Sequence, residues 1–408
     1  MSTRPLRALA SLLLLCVLTV SACGSGERET ITILGPWVGK EQATFEKVLA
    51  DFEKQTGFNV DYTGTRDARA VLASNLHDGH PPNAAVLSTL GDLRAYAASG
   101  RLSPVAAGLP AGRGGDLTTV PGPDGARPYG IVVKASVKSL IWFPRTLAPG
   151  VRDRLGKARS WDELAAAASG LGRPWCLGFA DKSASGWPGT DWIEDILLHR
   201  AGGEVYDAWV SGTLPWTSPQ VRAAWQTFGS VVAAGSGDSL VTGYAAASAR
   251  MFEPRPGCAL AHGGAFITTL GSGPGARDAD FVPFPKGGDI EIGGDVLGVF
   301  DRVEATDALV AYLTKEPVQR KWIQEQGSGA FSLSRAVPPA AYPDPLSRRI
   351  AQTLADATSV HFDASDTFPP VLAEAFDHAV LEYVAAPSRL EEILAALDRV
   401  QKASPPGS

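Results

Sequence analysis

The chain has 408 residues and a formal net charge of −6. A mildly acidic chain without a basic run argues against binding of nucleic acid and against electrostatic binding to a membrane surface. With 45% hydrophobic residues, its composition is that of a folded protein rather than a disordered one, and its length favours two domains.

The first residues have the pattern of an export signal. Arg4 and Arg7 give a basic start, and residues 9–20 form an apolar run. The run ends in Val-Ser-Ala followed by Cys23. Small residues directly before a cysteine resemble the lipobox of bacterial lipoproteins, in which the thiol is acylated and the peptide is cut before it.

This resemblance implies a signal peptide at 1–22 and a lipidated Cys23 that begins a short polar tether at 23–29. The mature protein would then be held on the extracellular face of the cytoplasmic membrane. An ordinary signal peptide and a short membrane helix are the alternatives, although a membrane span needs about 20 apolar residues.

If this interpretation is correct, two of the four cysteines cannot take part in a disulfide bond. Cys16 is removed with the signal and Cys23 carries the lipid. Cys176 and Cys258 remain, and in an oxidising compartment we expect them to pair as a disulfide. The alternative is two buried free thiols.

Hydrophobic periodicity predicts an α/β protein. The first hundred residues predict a β-α-β unit and a parallel sheet. The predicted elements there are a strand at 31–33, a helix through 45–52 that ends at Gly57, a strand at 58–62, a helix at 67–77, a strand at 84–87 and a helix at 90–98.

The rest of the chain continues with both element types. In order, we predict a loop at 108–128, a β-rich crossing at 129–143, a helix from the capping box of Ser160 and Glu163 to Gly170, a strand at 175–179, a helix at 191–200, a helix from 218, a strand at 258–261, a loop at 271–276, a strand at 295–300, a helix at 307–326 interrupted at Pro317, and helices at 344–357, 370–385 and 389–402.

No catalytic or metal-binding motif stands out. The sequence lacks a metalloprotease HExxH pattern, a G-x-S-x-G nucleophile elbow, a P-loop and a dinucleotide-binding glycine motif. His77 and His80 are three apart, but no further ligand follows at a suitable spacing. We therefore predict no metal and no cofactor, while a pair of glycosidase carboxylates is not excluded by inspection.

Tryptophan is the distinctive residue, with ten in the chain. Trp37 follows the first strand, and Trp187 lies in a Gly-, Pro- and Ser-rich loop before a helix. In an open α/β sheet, ligands bind beyond the carboxyl ends of strands. An aromatic ring there suits the apolar face of a sugar, whose hydroxyls also need polar partners. Core packing is the alternative for every tryptophan, and we expect it for Trp142, Trp161, Trp209, Trp225 and Trp322.

Four segments then resemble one family. FEKVLADFEKQTGFNVDYTGTRD (45–67), GDLRAYAASGRLSPV (91–105) and YGIVVKASVKSLIWFP (129–144) are similar, in this order, to parts of the extracellular solute-binding proteins of carbohydrate ABC transporters. SASGWPGTDWIEDILLHRAGGEVYDAWVSG (183–212) is similar to the α-glucoside-binding branch.

The resemblance implies an α/β, two-lobed, periplasmic-binding-protein-like fold with a ligand cleft and hinge crossings between the lobes. Lobe 1 would consist of 30–130 plus 285–330, and lobe 2 of 131–284 plus 331–408.

The same resemblance implies a set of ligand-binding positions. Gly263 lies directly before one of them, Gly264. Phe266 stands where relatives often carry another ring, and Ser88 and Thr89 are smaller than the groups usual there. The implied residues are Trp37, Arg66, Asp67, Ser88, Thr89, Ser136, Lys138, Trp187, Gly189, Thr190, Asp191, Gly264, Phe266, Asp295 and Phe331.

The function that this implies is transport without catalysis. A monomer would capture a carbohydrate, an oligosaccharide or an α-glucoside, and deliver it to the permease subunits of an ABC importer. Its contact with the membrane would be the lipid anchor alone. A secreted glycoside-active enzyme, with two carboxylates across the same cleft, and a sensor lipoprotein that presents its ligand to a receptor are the alternatives.

Overall fold

The computed structural model of this protein describes residues 29–105, 117–235, 237–268, 278–285 and 288–404. The predicted signal peptide, the lipidation site Cys23 and the predicted loop at 271–276 lie outside the described residues.

The strands of the described residues form two sheets and one hairpin. They are β1 (Thr30–Gly35), β2 (Asn59–Gly64), β3 (Ala84–Leu87), β4 (Thr119–Gly122), β5 (Gly125–Pro128), β6 (Gly130–Val137), β7 (Leu140–Pro144), β8 (Ala261–His262), β9 (Ala279–Pro283), β10 (Asp289–Val299) and β11 (Ser359–Phe362).

Helices cover both sheets. They are α1 (Lys40–Thr56), α2 (Ala68–His77), α3 (Leu90–Ala98), α4 (Pro149–Lys157), α5 (Trp161–Ala168), α6 (Trp187–Ala201), α7 (Gly203–Val210), α8 (Pro219–Ala234), α9 (Tyr244–Ala249), α10 (Glu304–Leu313), α11 (Glu316–Gln324), α12 (Pro345–Asp356), α13 (Ala364–Thr367), α14 (Pro370–Ala385) and α15 (Leu390–Ala403). Among the described residues, no helix combines the length and the apolar character that crossing a membrane requires.

The first sheet begins with the predicted β-α-β unit, which is confirmed. β1 lies between β2 and β3 and is parallel to both. Phe45, Val48, Leu49 and Phe52 recur at helical spacing in α1 and are all buried. The helix ends at Gly57, whose φ of 82° is a left-handed conformation that glycine adopts without strain.

A long strand, β10, completes this sheet and connects it to the rest of the chain. Its second half pairs antiparallel with β3, and its first half pairs parallel with β11. β6 pairs antiparallel with β10 along most of its length. From β6 the chain continues through Lys138 and Ser139 into β7, which belongs to the second sheet.

The second sheet has the order β8-β7-β9 and packs with α6 and the helices around it. Every residue of α6 from Pro188 to His199 is buried, so this helix has no solvent-exposed face over that length. One hydrophobic core lies against the first sheet, and a second surrounds α6, α8 and α14. Two cores on two sheets match the two domains expected from chain length.

Several element predictions were wrong in detail. Residues 119–128 form an antiparallel hairpin rather than a loop. Residues 175–179 do not form a strand, because only single bridges link Trp175 to Leu260 and to Gly235. Six elements were not predicted, namely α4, α7, α9, α13, β9 and β11, whereas the break at Pro317 is confirmed by the separation of α10 from α11. The lobe boundaries stay a prediction.

The disulfide prediction is confirmed. Cys176 and Cys258 are bonded, with their Cα atoms 5.2 Å apart. The bond joins the segment after Trp175 to the segment before β8, which are also linked by a backbone hydrogen bond of 2.8 Å from Cys176 to Leu260. It therefore ties together two segments that share only single β-bridges.

Replacing both Cys176 and Cys258 by serine should lower the free energy of unfolding by about 4–5 kcal/mol, since the bond closes a long loop in the unfolded chain. Chemical denaturation of the oxidised protein measures this loss. Reductant should destabilise the wild type to the same extent and leave the double variant unchanged. A wild type whose unfolding midpoint ignores full reduction would contradict the prediction.

Candidate functional site

The Lys138 side chain joins three parts of the fold. Its Nζ lies 3.0 Å from Asp191 Oδ1 on α6 and 2.5 Å from Asp363 Oδ2, directly after β11. Lys138 itself lies in the crossing from β6 to β7, and all three residues are buried. One ammonium group therefore connects the first crossing, the end of β11 and the central helix of the second core. We call Lys138, Asp191 and Asp363 the hub.

Electrostatics keep the hub charged. Burial would lower the pKa of Lys138, but the Asp191 and Asp363 carboxylates hold that pKa well above its ordinary value. Burial would raise the pKa of Asp363, and the Lys138 ammonium outweighs it and lowers that pKa. For Asp191, burial outweighs the ammonium and raises the pKa to about 6.

The sequence of α6 explains how a buried helix carries these charges. Asp191, Asp195 and His199 recur every four residues, which places them on one face. The Glu194 carboxylate accepts hydrogen bonds from the backbone N–H groups of Ala364 and Ser365, at 2.8 and 3.2 Å. The polar face of α6 is thus turned toward the segments that pass between the two sheets.

Aromatic side chains lie beside the hub. The Trp187 ring centroid is 4.8 Å from that of Tyr244 and 5.9 Å from that of Phe266. Lys138 Nζ lies 5.9 Å from the centre of the Trp187 ring, in cation–π range. We call Trp187, Tyr244 and Phe266 the aromatic cluster.

Ser136 brings a polar group to the same place. A Cβ placed on Gly264 would lie 3.2 Å from Ser136 Oγ and 2.5 Å from the Phe266 ring, so this glycine lets the three residues approach each other. Among the described residues, Ser136 Oγ has no hydrogen-bond partner. An unpaired hydroxyl next to an aromatic ring is suited to bind a polar group of a ligand.

Trp187 differs from every other tryptophan. All ten lie within the described residues, and nine are buried, including the five assigned to cores from the sequence. Trp187 is partly exposed, and its indole N–H donates to Asp181 Oδ2 at 2.9 Å. Its ring is therefore held in place by a hydrogen bond while part of its surface stays open to solvent.

Trp37 has the environment of a core residue. It is only 2% exposed and packs against Phe45, Tyr62 and Trp322. Its indole N–H donates to Asp295 Oδ2 at 2.9 Å. This arrangement favours a structural role for Trp37, in which its indole N–H orients the carboxylate of Asp295.

Several charged side chains lie near Asp295 on the side of the first sheet. Lys134 Nζ lies 5.8 Å from the centre of the Trp37 ring and pairs with Glu41 at 2.6 Å. Arg66 also pairs with Glu41, at 3.1 Å. The structure thus brings together Arg66 and Asp295, both predicted ligand contacts, with two charged residues that were not predicted, Glu41 and Lys134.

The remaining predicted positions are scattered. Asp67 and Ser88 are exposed, and the Thr89 hydroxyl accepts from the backbone N–H of Asp92 at 3.1 Å and so caps α3. Gly189 faces the second core, because a Cβ there would lie 2.4 Å from Val380.

Two further predicted residues lie at the edge of the site. Thr190 Oγ1 donates to the Trp187 backbone carbonyl at 2.9 Å and helps to hold the start of α6. Phe331 forms an isolated bridge with Ala135, next to Ser136, and its ring stacks on Tyr342.

Several residues of this region, Glu41 among them, were not found from the sequence. Lys134 shares a face of β6 with Ser136, since side chains alternate along a strand, and that period could have identified it. Tyr244, Asp363, Asp366 and Asp377 come from segments whose position only the tertiary structure fixes.

Asp366 and Asp377 have perturbed acidities. Burial and the neighbouring Asp363 carboxylate raise the pKa of Asp366 well above its ordinary value. Burial, followed by the charges of Asp363 and Asp191, raises the pKa of Asp377 to about 8. Asp377 lies on α14 against Gly186, and its Oδ1 has no hydrogen-bond partner among the described residues.

A serine, a histidine and an aspartate also meet here, but in the wrong order for nucleophilic catalysis. Asp195 lies between the other two, accepting from Ser139 Oγ at 2.5 Å and contacting His262 Nε2 at 2.5 Å. In a catalytic triad the histidine lies between the nucleophile and the acid. All three are at most 3% exposed, so this cluster has a structural role.

A cavity of about 200 Å³ lies elsewhere, between α3 and the helices α7, α14 and α15. Arg94, Phe368, Leu372 and Lys402 are among its lining residues, and no predicted ligand residue borders it. The aromatic residue in its lining, Phe368, is only 3% exposed, so we favour the aromatic cluster as the ligand site.

Two relatives show the family. The chain is 30% identical over 389 residues to the osmoprotective compounds-binding protein GgtB of Synechocystis, covering 88% of this chain and 90% of the relative. It is 30% identical over 396 residues to the alpha-glucosides-binding periplasmic protein AglE of Rhizobium meliloti, covering 88% and 84%. No protein-family model matches the chain.

A crystal structure of the bacterial solute receptor AcbH has the same fold. It superposes with a TM-score of 0.76 at 15% identity, covering 92% of this chain and 99% of that one. The expected α/β, two-lobed fold is thereby confirmed.

Replacing Lys138 by methionine should lower the free energy of unfolding by about 3–5 kcal/mol, because two buried carboxylates lose their partner. Urea denaturation near neutral pH measures this. Lys47→Met is the matched control, since Lys47 pairs with Glu325 at the surface with its side chain 60% exposed, and such pairs contribute about 1 kcal/mol or less. Similar losses in the two variants would contradict a special role for the hub.

Asp377→Asn tests the raised pKa of Asp377. With a folded pKa of about 8 against an ordinary 3.8, the folded protein holds a proton that the unfolded chain has released between these values. The contribution of this group to stability therefore falls as pH rises from about 4 to about 8. Asp377→Asn removes this loss.

We expect the variant to gain up to about 5 kcal/mol over wild type above pH 8 and little near pH 4, measured by urea denaturation across that range. Asp153→Asn, at a carboxylate on α4 whose side chain is 75% exposed, should show no such slope. A difference between Asp377→Asn and wild type that is constant with pH would contradict the assignment.

Proposed function

The chain belongs to the extracellular solute-binding proteins of ABC transporters, and we propose that it captures a carbohydrate at the aromatic cluster and delivers it to the permease of an importer. The ligand that we propose is an oligosaccharide or an α-glucoside. The names of the relatives support this choice, since AglE is described as binding alpha-glucosides.

The observation that carries the proposal is the position of Trp187. It is the one tryptophan of ten that is not buried, and it lies beside two other rings, a cation and an unpaired hydroxyl. A sugar ring has apolar C–H faces and polar edges, so it needs this combination of groups. Lobe closure over the ligand would use the crossings next to the hub as its hinge.

The acidic character of this region supports a neutral ligand. Asp181, Asp366 and Asp377 lie close to the aromatic cluster or to the hub. The Asp181 carboxylate would repel an anionic sugar, whereas Asp377, whose pKa of about 8 keeps it protonated near neutral pH, can donate a hydrogen bond to a sugar hydroxyl.

The absence of chemistry on the ligand is also part of the proposal. The relatives are named as binding proteins, and the carboxylates that lie close together, Glu194, Glu291 and Asp363, are buried. Glycosidases need two carboxyl groups that flank an accessible glycosidic bond. Buried carboxylates cannot reach such a bond.

The anchor completes the proposal. Lipidation at Cys23 would keep a monomeric receptor on a short tether close to the permease subunits that accept its ligand. The mass of the N-terminal peptide would distinguish this anchored form from a secreted form that carries no lipid.

Isothermal titration calorimetry against neutral glycans, sugar acids and non-sugar osmolytes tests the proposed ligand class. We expect binding of at least one neutral glycan, recovered intact afterward. A protein that ignores every glycan and binds another solute class would refute the proposal.

Trp187→Ala then locates the site. Loss of a central aromatic contact should weaken binding of that glycan by about 10- to 1000-fold, with little change in unfolding midpoint because the ring is partly exposed. Val241→Ala is the control, since Val241 is 82% exposed and lies outside the cluster. Unchanged affinity in a folded Trp187→Ala variant would place the site elsewhere.

A further inference from the structure

One histidine fastens α7, a helix of the second core, to the edge of the first sheet. His361 lies on β11 and is buried, with its Nδ1 2.8 Å from Asp207 Oδ1 on α7. Its Nε2 lies 3.3 Å from Ser359 Oγ and 3.7 Å from Asp289 Oδ1, where β11 pairs with β10. The imidazole therefore lies between one carboxylate on a helix and another on a strand. We call Asp207, His361 and Asp289 the latch.

The start of α7 is fitted closely to this imidazole. The N–H of Gly203, the first residue of α7, donates to Asp289 Oδ2 at 3.2 Å. A Cβ placed on Gly203 would lie 2.6 Å from the His361 ring, so a glycine is needed for the helix to approach the ring this closely. The Tyr206 hydroxyl, one turn further along α7, donates to the Phe362 carbonyl at 3.1 Å. The first turn of α7 thus forms a seat for the His361 side chain.

The hydrogen bonds of the latch require a doubly protonated imidazole. A carboxylate only accepts hydrogen bonds, so Nδ1 must donate to Asp207. The Ser359 hydroxyl gives its one hydrogen to Asp289 Oδ1, so the Nε2 of His361 must donate to that hydroxyl oxygen. A neutral imidazole has a single N–H and can make only one of these two bonds, whereas an imidazolium makes both.

The charges around the ring favour this cation. Burial would lower the pKa of His361, but the hydrogen bond to Asp207 and the charges of Asp207 and Asp289 raise it above its ordinary value. Burial would raise the pKa of Asp289, but the Ser359 hydroxyl and the His361 charge lower it. The other titratable groups on the elements packed here are the exposed Glu204 and the ring of Tyr206 on α7, Glu291 opposite His361 on β10, and His199 on α6. Acidic groups thus predominate around the imidazole.

We propose that the latch is a pH-sensitive fastening of α7, closed while His361 is an imidazolium and loosened when it loses a proton. A neutral His361 gives up one of its two hydrogen bonds, which weakens the hold of β10 and β11 on α7. Only Gly202 separates α7 from the end of α6, so the latch holds the far end of α6 while the hub holds its start. Loss of the proton therefore leaves the helix that begins with Trp187 fastened firmly at one end instead of two.

The direction of the pH dependence follows from the two states of the latch. When the latch is open, His361 has its ordinary pKa of 6.5, and when the latch is closed its pKa is higher. The stabilisation by the latch is therefore complete below pH 6.5 and is lost as pH rises through the higher pKa. An extracellular solute-binding protein is exposed to the pH of its surroundings, so external pH acts on the latch directly.

The test is hydrogen exchange of the α7 amides without any sugar, from about pH 6 to about pH 9. After correction for the intrinsic exchange rate, the equilibrium constant for opening of α7 should rise several-fold in wild type over this range, as loss of one charge-assisted hydrogen bond predicts. NMR titration of the assigned His361 ring should give a pKa above its ordinary 6.5.

Two variants remove the latch in different ways. His361→Gln lacks the cation, so opening of α7 should no longer depend on pH. Asp207→Asn keeps the imidazole and removes a carboxylate whose side chain is 66% exposed, so it should fold, lower the pKa of His361 and reduce the pH dependence. His80→Gln is the matched control at an exposed histidine and should behave like wild type.

Two results would overturn the proposal. One is a His361 ring in wild type that titrates at or below its ordinary pKa. The other is a pH-dependent opening of α7 that persists undiminished in either latch variant. If His361→Gln fails to fold, Asp207→Asn and the titration of wild type still decide the question. Because no sugar is present, either failure is separate from a failure of the proposed function.

Discussion

The structure depends on one buried ammonium group. Lys138 lies in the first crossing between the two sheets and contacts Asp191 of α6 and Asp363 of the turn after β11. Removing three charged groups from water is expensive, and the attraction between them compensates for this only when the geometry is held closely. The hub therefore fixes how the crossings and the central helix of the second core are placed relative to each other.

The position of the candidate ligand site follows from the hub. Asp191 is one turn into α6, and Trp187 is the first residue of that helix. Once the hub fixes the start of α6 against the first crossing, Trp187 must lie beside Lys138, and Ser136 on the same face of β6 must lie close to both. Phe266 and Tyr244 then close the far side of the ring. The aromatic cluster is thus aligned with the crossings, where motion of one lobe relative to the other would open or cover it.

Much of this arrangement could be predicted from the sequence. Local periodicity located the β1-α1-β2 unit, and the loop position of Trp187 identified it as different from the periodic tryptophans. The segment resemblance selected Lys138, Asp191 and Phe266, which the structure brings into one region. It also selected Trp37, whose neighbours Phe45 and Trp322 bury it, because a residue after a strand can turn into the core as readily as into the cleft.

Other parts could not be predicted because they depend on partners far apart in sequence. β11 has four residues and is stabilised by pairing with β10, so its local pattern is weak, and Asp363 was missed with it. Residues 175–179 have the composition of a strand, but single β-bridges and the disulfide to Cys258 hold this segment instead. Buried carboxylates such as Glu194 and Glu291 are indistinguishable from surface ones until the helix and strand that carry them are placed.

The central claim is that the ligand binds between the aromatic cluster and the crossings. A crystal structure of the protein with a bound neutral glycan tests it most directly. The account predicts a sugar ring packed on Trp187, with its hydroxyls close to Ser136 and Asp366. A sugar in the cavity between α3 and α15, or density that avoids Trp187, would contradict it.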